Sequence, residues 1–243
     1  MQTVDAVPAL ERDLRAIFGQ RLQSMVVYGR RAQAASDGHG DHAGHGSGPI
    51  THTLAVVDAL SHDDLRKCAA HVQSWHDAGL DTPLLLGTRE FSRSLDAFPF
   101  EFGAILADHD VVSGSDPFLG LGVDAADRRR ACEVQARGHL LHLREGYLET
   151  RGRDDALAVL IVQSAPAFAA LVTSVAQLDA ADTRDVAAAA RHVEHRIALP
   201  GAASEIVKLA GVTEISSAEA SRLFPPYLDT VERLVSYIDA WKS

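Results

Sequence analysis

The sequence predicts an α+β protein: a small mixed sheet flanked by helices, followed by an all-helical bundle. Two observations carry this. Up to Val123, short apolar runs with strand character alternate with segments of helical periodicity, as expected of a sheet covered by helices. Beyond Val123 the chain becomes alanine-rich with helical spacing throughout and no strand-like run. At 243 residues with 47% hydrophobic content, each part can bury a core of its own. The domain boundaries are therefore placed at 1–122 and 123–243.

Leu10, Leu14, Ile17, Phe18 and Leu22 recur at helical spacing and predict a helix over 8–22. A strand at 24–28 follows and delivers Gly29. Residues 36–48, Ser-Asp-Gly-His-Gly-Asp-His-Ala-Gly-His-Gly-Ser-Gly, carry too little apolar surface to pack and read as a low-complexity insertion. A second strand spans 51–58. Ser61 or Asp63 then caps a helix that runs to about Ala78, with Gly79 closing it. Pro83 to Leu86 reads as a third strand, Ala97 to Leu106 as a fourth, and Ser113 to Pro117 as a turn. Four helices follow, over 124–150, 154–178, 182–199 and 218–241.

The net charge of -10, with 33 acidic against 23 basic residues, excludes a nucleic-acid scaffold, because phosphate backbones need concentrated Lys and Arg. No apolar stretch is read as a membrane span, and the first residues lack a basic and apolar leader pattern, so a cytoplasmic protein is expected. Cys68 and Cys132 lack metal-site spacing and read as core thiols. The alanine-rich half, ending in Tyr237 and Trp241, could supply a homodimer face.

The most informative segment is Ser24-Met25-Val26-Val27-Tyr28-Gly29-Arg30-Arg31-Ala32, an apolar run ending in glycine. Such a turn can aim backbone N–H groups at a phosphate, and Arg30 and Arg31 add positive charge. Together with Thr51-His52-Thr53-Leu54-Ala55-Val56-Val57-Asp58, the run Pro83 to Phe102 and the string Arg128 to Leu148, this segment resembles the nucleotidyltransferases of the DNA polymerase beta superfamily, of the minimal or kanamycin-nucleotidyltransferase type. The resemblance implies a Gly-Ser turn holding nucleotide phosphates, two alternating acids on the second strand and a third on a later one, together coordinating Mg²⁺. Here Arg30 occupies the Ser position, Thr51 and Thr53 occupy the two acid positions, and Glu101 stands near the third. His52 should point away from the two threonines.

A neutral hydroxyl is a poor ligand for Mg²⁺, so the resemblance implies a degraded metal site. The expected function is a nucleotide- or anion-binding or regulatory module without transfer activity, with Gly29, Arg30, Arg31, Thr51 and Thr53 as binding residues. The alternative is an active enzyme moving a nucleoside monophosphate to a small-molecule or protein hydroxyl, with Mg²⁺ held by Glu101, Asp96 or Asp58. A further alternative rests on His39, His42 and His45, which with Asp37 and Asp41 form a Zn²⁺- or Ni²⁺-binding pattern in a glycine-rich loop. Imidazole binds metal only when neutral, so Zn²⁺ uptake measured by calorimetry should weaken as pH falls through about 6.5. Excision of residues 37–48 should abolish that heat without unfolding the protein; equal heats in intact and excised proteins would remove these histidines as the site.

Overall fold

The computed structural model describes residues 3–29, 50–181 and 185–242. The chain divides between Val123 and Asp124 into two compact units. In the first, helix α1 (Thr3–Phe18) is followed by a 3₁₀ turn over Gly19–Arg21, so the α-helix starts and stops earlier than the sequence suggests. Strands β1 (Leu22–Tyr28) and β2 (His52–Val57) come next, then α2 (His62–Ala69) and α3 (Val72–Asp77). One helix had been expected there; it breaks at Ala70 and His71, whose N–H groups reach back three residues to Lys67 and Cys68. β3 (Leu84–Gly87), α4 (Thr88–Ala97), α5 (Pro99–Ala107) and β4 (His109–Gly114) complete the unit.

The expected fourth strand over 97–106 is a correction, because those residues are helical. Phe98, Phe100 and Phe102 alternate like a strand, but Pro99 opens a new helix, and burial selects Phe102 and Ile105, three apart on one helical face. The fourth strand lies later, and Ser113 and Gly114, read from sequence as part of a turn, belong to it.

The sheet order is β3-β2-β1-β4, with β1 antiparallel to both neighbours and β3 parallel to β2. Met25, Val27, Ala55 and Val57 pack with Leu10, Leu14 and Phe18 of α1 and with Trp75. Val26, Leu54 and Val56 pack on the other face with Phe91, Leu95, Phe102, Ile105 and Phe118. Each such buried side chain contributes roughly 2 kcal/mol. Gly114 has φ 78°, and a Cβ there would lie 1.9 Å from the carbonyl oxygen of Gln23, so the β1/β4 approach admits only glycine. On the α1 side, Asp64 closes a capping box with Ser61 and accepts two bonds from Arg21, at 2.9 and 2.7 Å. The Arg21 and Ser61 hydrogen bonds hold its carboxyl well below the usual carboxylate range.

The second unit is a bundle of α6 (Ala125–Glu149), α7 (Asp154–Leu178), α8 (Val186–Ile197), α9 (Ala202–Val207) and α10 (Ser217–Ala240). α7 packs against all four others. Its 25 residues include a window of mean hydropathy 2.0, long and apolar enough to cross a membrane by length and composition, which corrects the sequence reading. Ile161, Ala165, Phe168, Leu171, Val172 and Val175 are buried within the bundle, and 39% of that window is buried in all. Glu133, Arg137 and Arg144 form an ion-pair stripe on α6, with Arg137 binding Asp239 at 2.8 Å and Arg144 binding Glu232 at 2.8 Å on α10.

Two polar clusters tie the bundle. Asp179 accepts from Tyr237 at 2.7 Å, His192 at 2.8 Å and Trp241 at 2.9 Å, and pairs with Arg196 at 3.2 Å. Burial pushes its carboxyl up, and these partners more than reverse that, leaving it below the ordinary carboxylate range. Buried His139 Nε2 lies 2.7 Å from the Tyr227 hydroxyl, which donates to Ser164 Oγ at 3.1 Å, which in turn donates to the Ile161 carbonyl at 3.0 Å.

Burial, and secondarily His142, lower the His139 pKa to about 4. A histidine with a depressed folded-state pKa takes up its proton more readily when unfolded, so stability should fall as pH drops from about 6.5 toward about 4 and level off below. The loss should approach about 3 kcal/mol, read from denaturant midpoints across that window, and His139→Gln should remove that part of the pH dependence. An unchanged profile in the variant would assign the window to other groups.

Candidate functional site at the end of the central strand

β1 lies between two strands and two packed faces, so its side chains before Tyr28 have little room for chemistry. The first exit is its C-terminal end. There Gly29 adopts φ 75°, a left-handed conformation that favours glycine, and its N–H donates to the Asp108 carbonyl at 3.0 Å, prolonging the β1/β4 ladder. The amide expected to cradle a phosphate is thus engaged by the fold. Arg30, Arg31, His39, His42 and His45 lie outside the described residues.

Across the strand end runs a row of three aromatic residues, His52, Tyr28 and His109, paired in register on β2, β1 and β4. His52 stacks on Tyr28 with ring centroids 5.6 Å apart, and its Nδ1 lies 3.1 Å from Asp81 Oδ2. His109 Nε2 lies 3.1 Å from Asp116 Oδ1, while its Nδ1 faces the carbonyls of Ile105 and Leu106 at 3.1 and 3.2 Å. The same Asp116 oxygen accepts the Phe118 N–H at 2.8 Å, and the Phe118 ring lies 4.8 Å from His109. Burial, and then the Asp81 charge, push the Tyr28 hydroxyl up, so at neutral pH it is a hydrogen-bond donor. Among the described residues, neither that hydroxyl nor His52 Nε2 has a hydrogen-bond partner. The half-buried Tyr28 hydroxyl can donate to an anionic or phosphate-bearing group, whereas His52, with Nδ1 facing Asp81, presents Nε2 as an acceptor when neutral and as a donor to an anion only when protonated.

The opposite face carries a second row, Thr53, Val27 and Asp110. Thr53 is 1% exposed, and its Oγ1 has no hydrogen-bond partner. Thr51, just before β2, spends its backbone on Gly79 and Asp81, at 3.0 Å each. The strand-borne position expected for Glu101 is overturned: it is exposed in the first turn of α5, and Asp96 is exposed on α4. These helices cover the face of the sheet opposite Thr53, so the sheet separates both acids from it. Asp58 is exposed beyond β2, its N–H bonded to the Arg21 carbonyl at 2.9 Å. Among the described residues no group of three or more His, Cys, Asp or Glu side chains is arranged to hold a metal ion.

No family model matches the chain, and no curated protein matches it by sequence. A solved structure does match its fold: spectinomycin adenyltransferase AAD(9) from Enterococcus faecialis, in a crystal with ATP and spectinomycin, aligns over 98% of this chain and 99% of that chain with a TM-score of 0.50 and 12% identity. The fold is nucleotidyltransferase-like. At that identity the likeness is one of architecture, and site chemistry has to be argued from the residues themselves.

The sequence reading missed His109, Asp108 and Asp110 and gave His52 no binding role. The signal was present as Asp108-His109-Asp110, an alternating acid pair, but it was hidden once 97–106 was taken for the strand. His52 does point away from the Thr53 face, as alternation predicted, and packs on Tyr28.

Because the Thr53 hydroxyl is buried without a partner, Thr53→Val should stabilise the protein by about 1 kcal/mol in chemical denaturation. Thr53→Asp should cost several kcal/mol, since an unpaired carboxylate would be buried there. A destabilised Val variant would show that the hydroxyl is satisfied in solution.

Proposed function

We propose that this chain is a nucleotidyltransferase-fold binding or regulatory module that takes a nucleotide or another small anion at the end of β1 and does not transfer it. The observation that carries this reading is the buried, partnerless Thr53 at a position where the resemblance implies a metal-binding carboxylate. The reading is supported by the placement of Glu101 and Asp96, exposed on helices that cover the other face of the sheet. The proposed ligand contacts are the Tyr28 hydroxyl as donor and His52 in its protonated form, with Arg30 and Arg31, next in sequence after Gly29, proposed as cationic partners. In this reading any Mg²⁺ arrives with the nucleotide, and Zn²⁺ or Ni²⁺ at His39, His42 and His45 would be a separate activity. The adenyltransferase neighbour was crystallised with ATP; extending that ligand to this chain is part of the proposal.

A second reading, an active nucleotidyltransferase, draws support from Asp108 and Asp110, which flank His109 at the start of β4, with Asp110 in the same cross-strand row as Thr53. Phosphoryl transfer depends on electrostatic stabilisers, each worth on the order of 3 kcal/mol, or about a hundredfold in rate.

Calorimetry with ATP in the presence of EDTA, alongside transfer of labelled nucleotide across a panel of hydroxyl acceptors with Mg²⁺, separates the two. The expected result is metal-independent binding, weakened by His52→Ala, and no transfer above background. Transfer abolished by Asp110→Asn would establish the second reading; absence of both binding and transfer would overturn both.

A further inference from the structure

The second unit contains an open groove of about 720 Å³ between the first turns of α7 and the segment leading into α10. That volume is in the range of small-molecule sites. Ala158, Val159, Val162 and Ile215 give it apolar lining, and Gln163 and Glu214 line it as well. Val159 is 53% exposed and so presents its side chain to the groove.

The polar lining of the groove includes the carboxylates of Asp155 and Glu214 beside Arg153 and the hydroxyls of Thr213, Ser216 and Ser217. Pro166 interrupts the ladder of α7, and because proline has no N–H, the carbonyl four residues earlier loses its helical donor. That carbonyl belongs to Val162. Among the described residues Glu214 has no ion pair or hydrogen bond, and neither does Gln163.

Features that would favour an anion are already engaged. Arg153 lies 3.9 Å from Asp155 and donates to the Thr150 carbonyl at 3.4 Å. The positive N-terminus of α7 faces Asp154 and Asp155, and that of α10 is capped by Ser216, whose hydroxyl accepts from Glu219 N–H, with Glu219 in its first turn. The charge left uncompensated in the groove is the Glu214 carboxylate.

We propose that this groove is a binding site for a small organic cation, an ammonium group attached to an apolar body, with the ammonium at Glu214 and the Val162 carbonyl and the body against Val159, Val162 and Ile215. The groove lies within the second unit, so this inference does not depend on the nucleotide reading of the first.

The test is a titration followed by methyl NMR of the full chain, using benzylammonium chloride, benzyl alcohol and benzoate as probes of equal shape and different charge. The expected result is saturable shifts of the Val159, Val162 and Ile215 methyls, with benzylammonium binding about fivefold tighter than benzyl alcohol, as one partly exposed ion pair provides. Glu214→Gln should abolish that preference while leaving the melting temperature unchanged, and Val159→Asn should weaken all probes alike. Absence of saturable shifts, an equal or stronger response to benzoate, or a preference that survives Glu214→Gln would overturn the proposal.

Discussion

Covering β1 on both edges and both faces is the constraint from which the first unit follows. Its backbone is committed to β2 and β4, Met25 and Val27 face α1, and Val26 faces α4 and α5. A strand so enclosed has no solvated face to carry chemistry, and any polar side chain placed beside it must find a partner or remain unsatisfied. Thr53 is the case in point: neighbouring β1 on the α1 side, it is buried with its hydroxyl unpaired. Polar side chains gather at the strand end, where Tyr28 sits between two histidines, each held by its own aspartate.

The same rule operates in the helical unit with a different outcome. α7 is surrounded by helices and is apolar on most of its circumference, which gives it the composition of a membrane span inside a bundle. Among the described residues the polar side chains buried inside this unit are partnered. Asp179 gathers donors from α8 and from Tyr237 and Trp241, so one carboxylate fixes three chain segments. His139 takes the other solution and stays neutral within a hydroxyl chain. Burial also pushes the Cys132 thiol up to about 12, which makes it a packing residue without nucleophilic character.

The likeness to a nucleotidyltransferase holds at the level of architecture. Where a carboxylate pair is implied on β2, the chain places a buried threonine. The acids that sequence order nominated are carried by helices on the far side of the sheet. What the fold brings together at the strand end are imidazoles, a phenol and the carboxylates that orient them.

The sequence by itself determined the class of the fold, because local periodicity is a property of neighbouring residues: Leu10, Leu14 and Phe18 mark a helix, and Met25 to Val27 a buried strand, in whatever surroundings they fold. It also determined that His52 and Thr53 point to opposite faces, since alternation in a strand is geometric. Only the tertiary structure decided whether Phe98, Phe100 and Phe102 alternate as a strand or lie on a helix, because Pro99 opened a helix whose burial falls on Phe102 and Ile105. Only it could show that His109 reaches Asp116, that the Gly29 amide is engaged by Asp108, and that Glu101 is on the wrong side of the sheet for Thr53. Those facts depend on strand order and register, which are set by contacts between residues far apart in the chain.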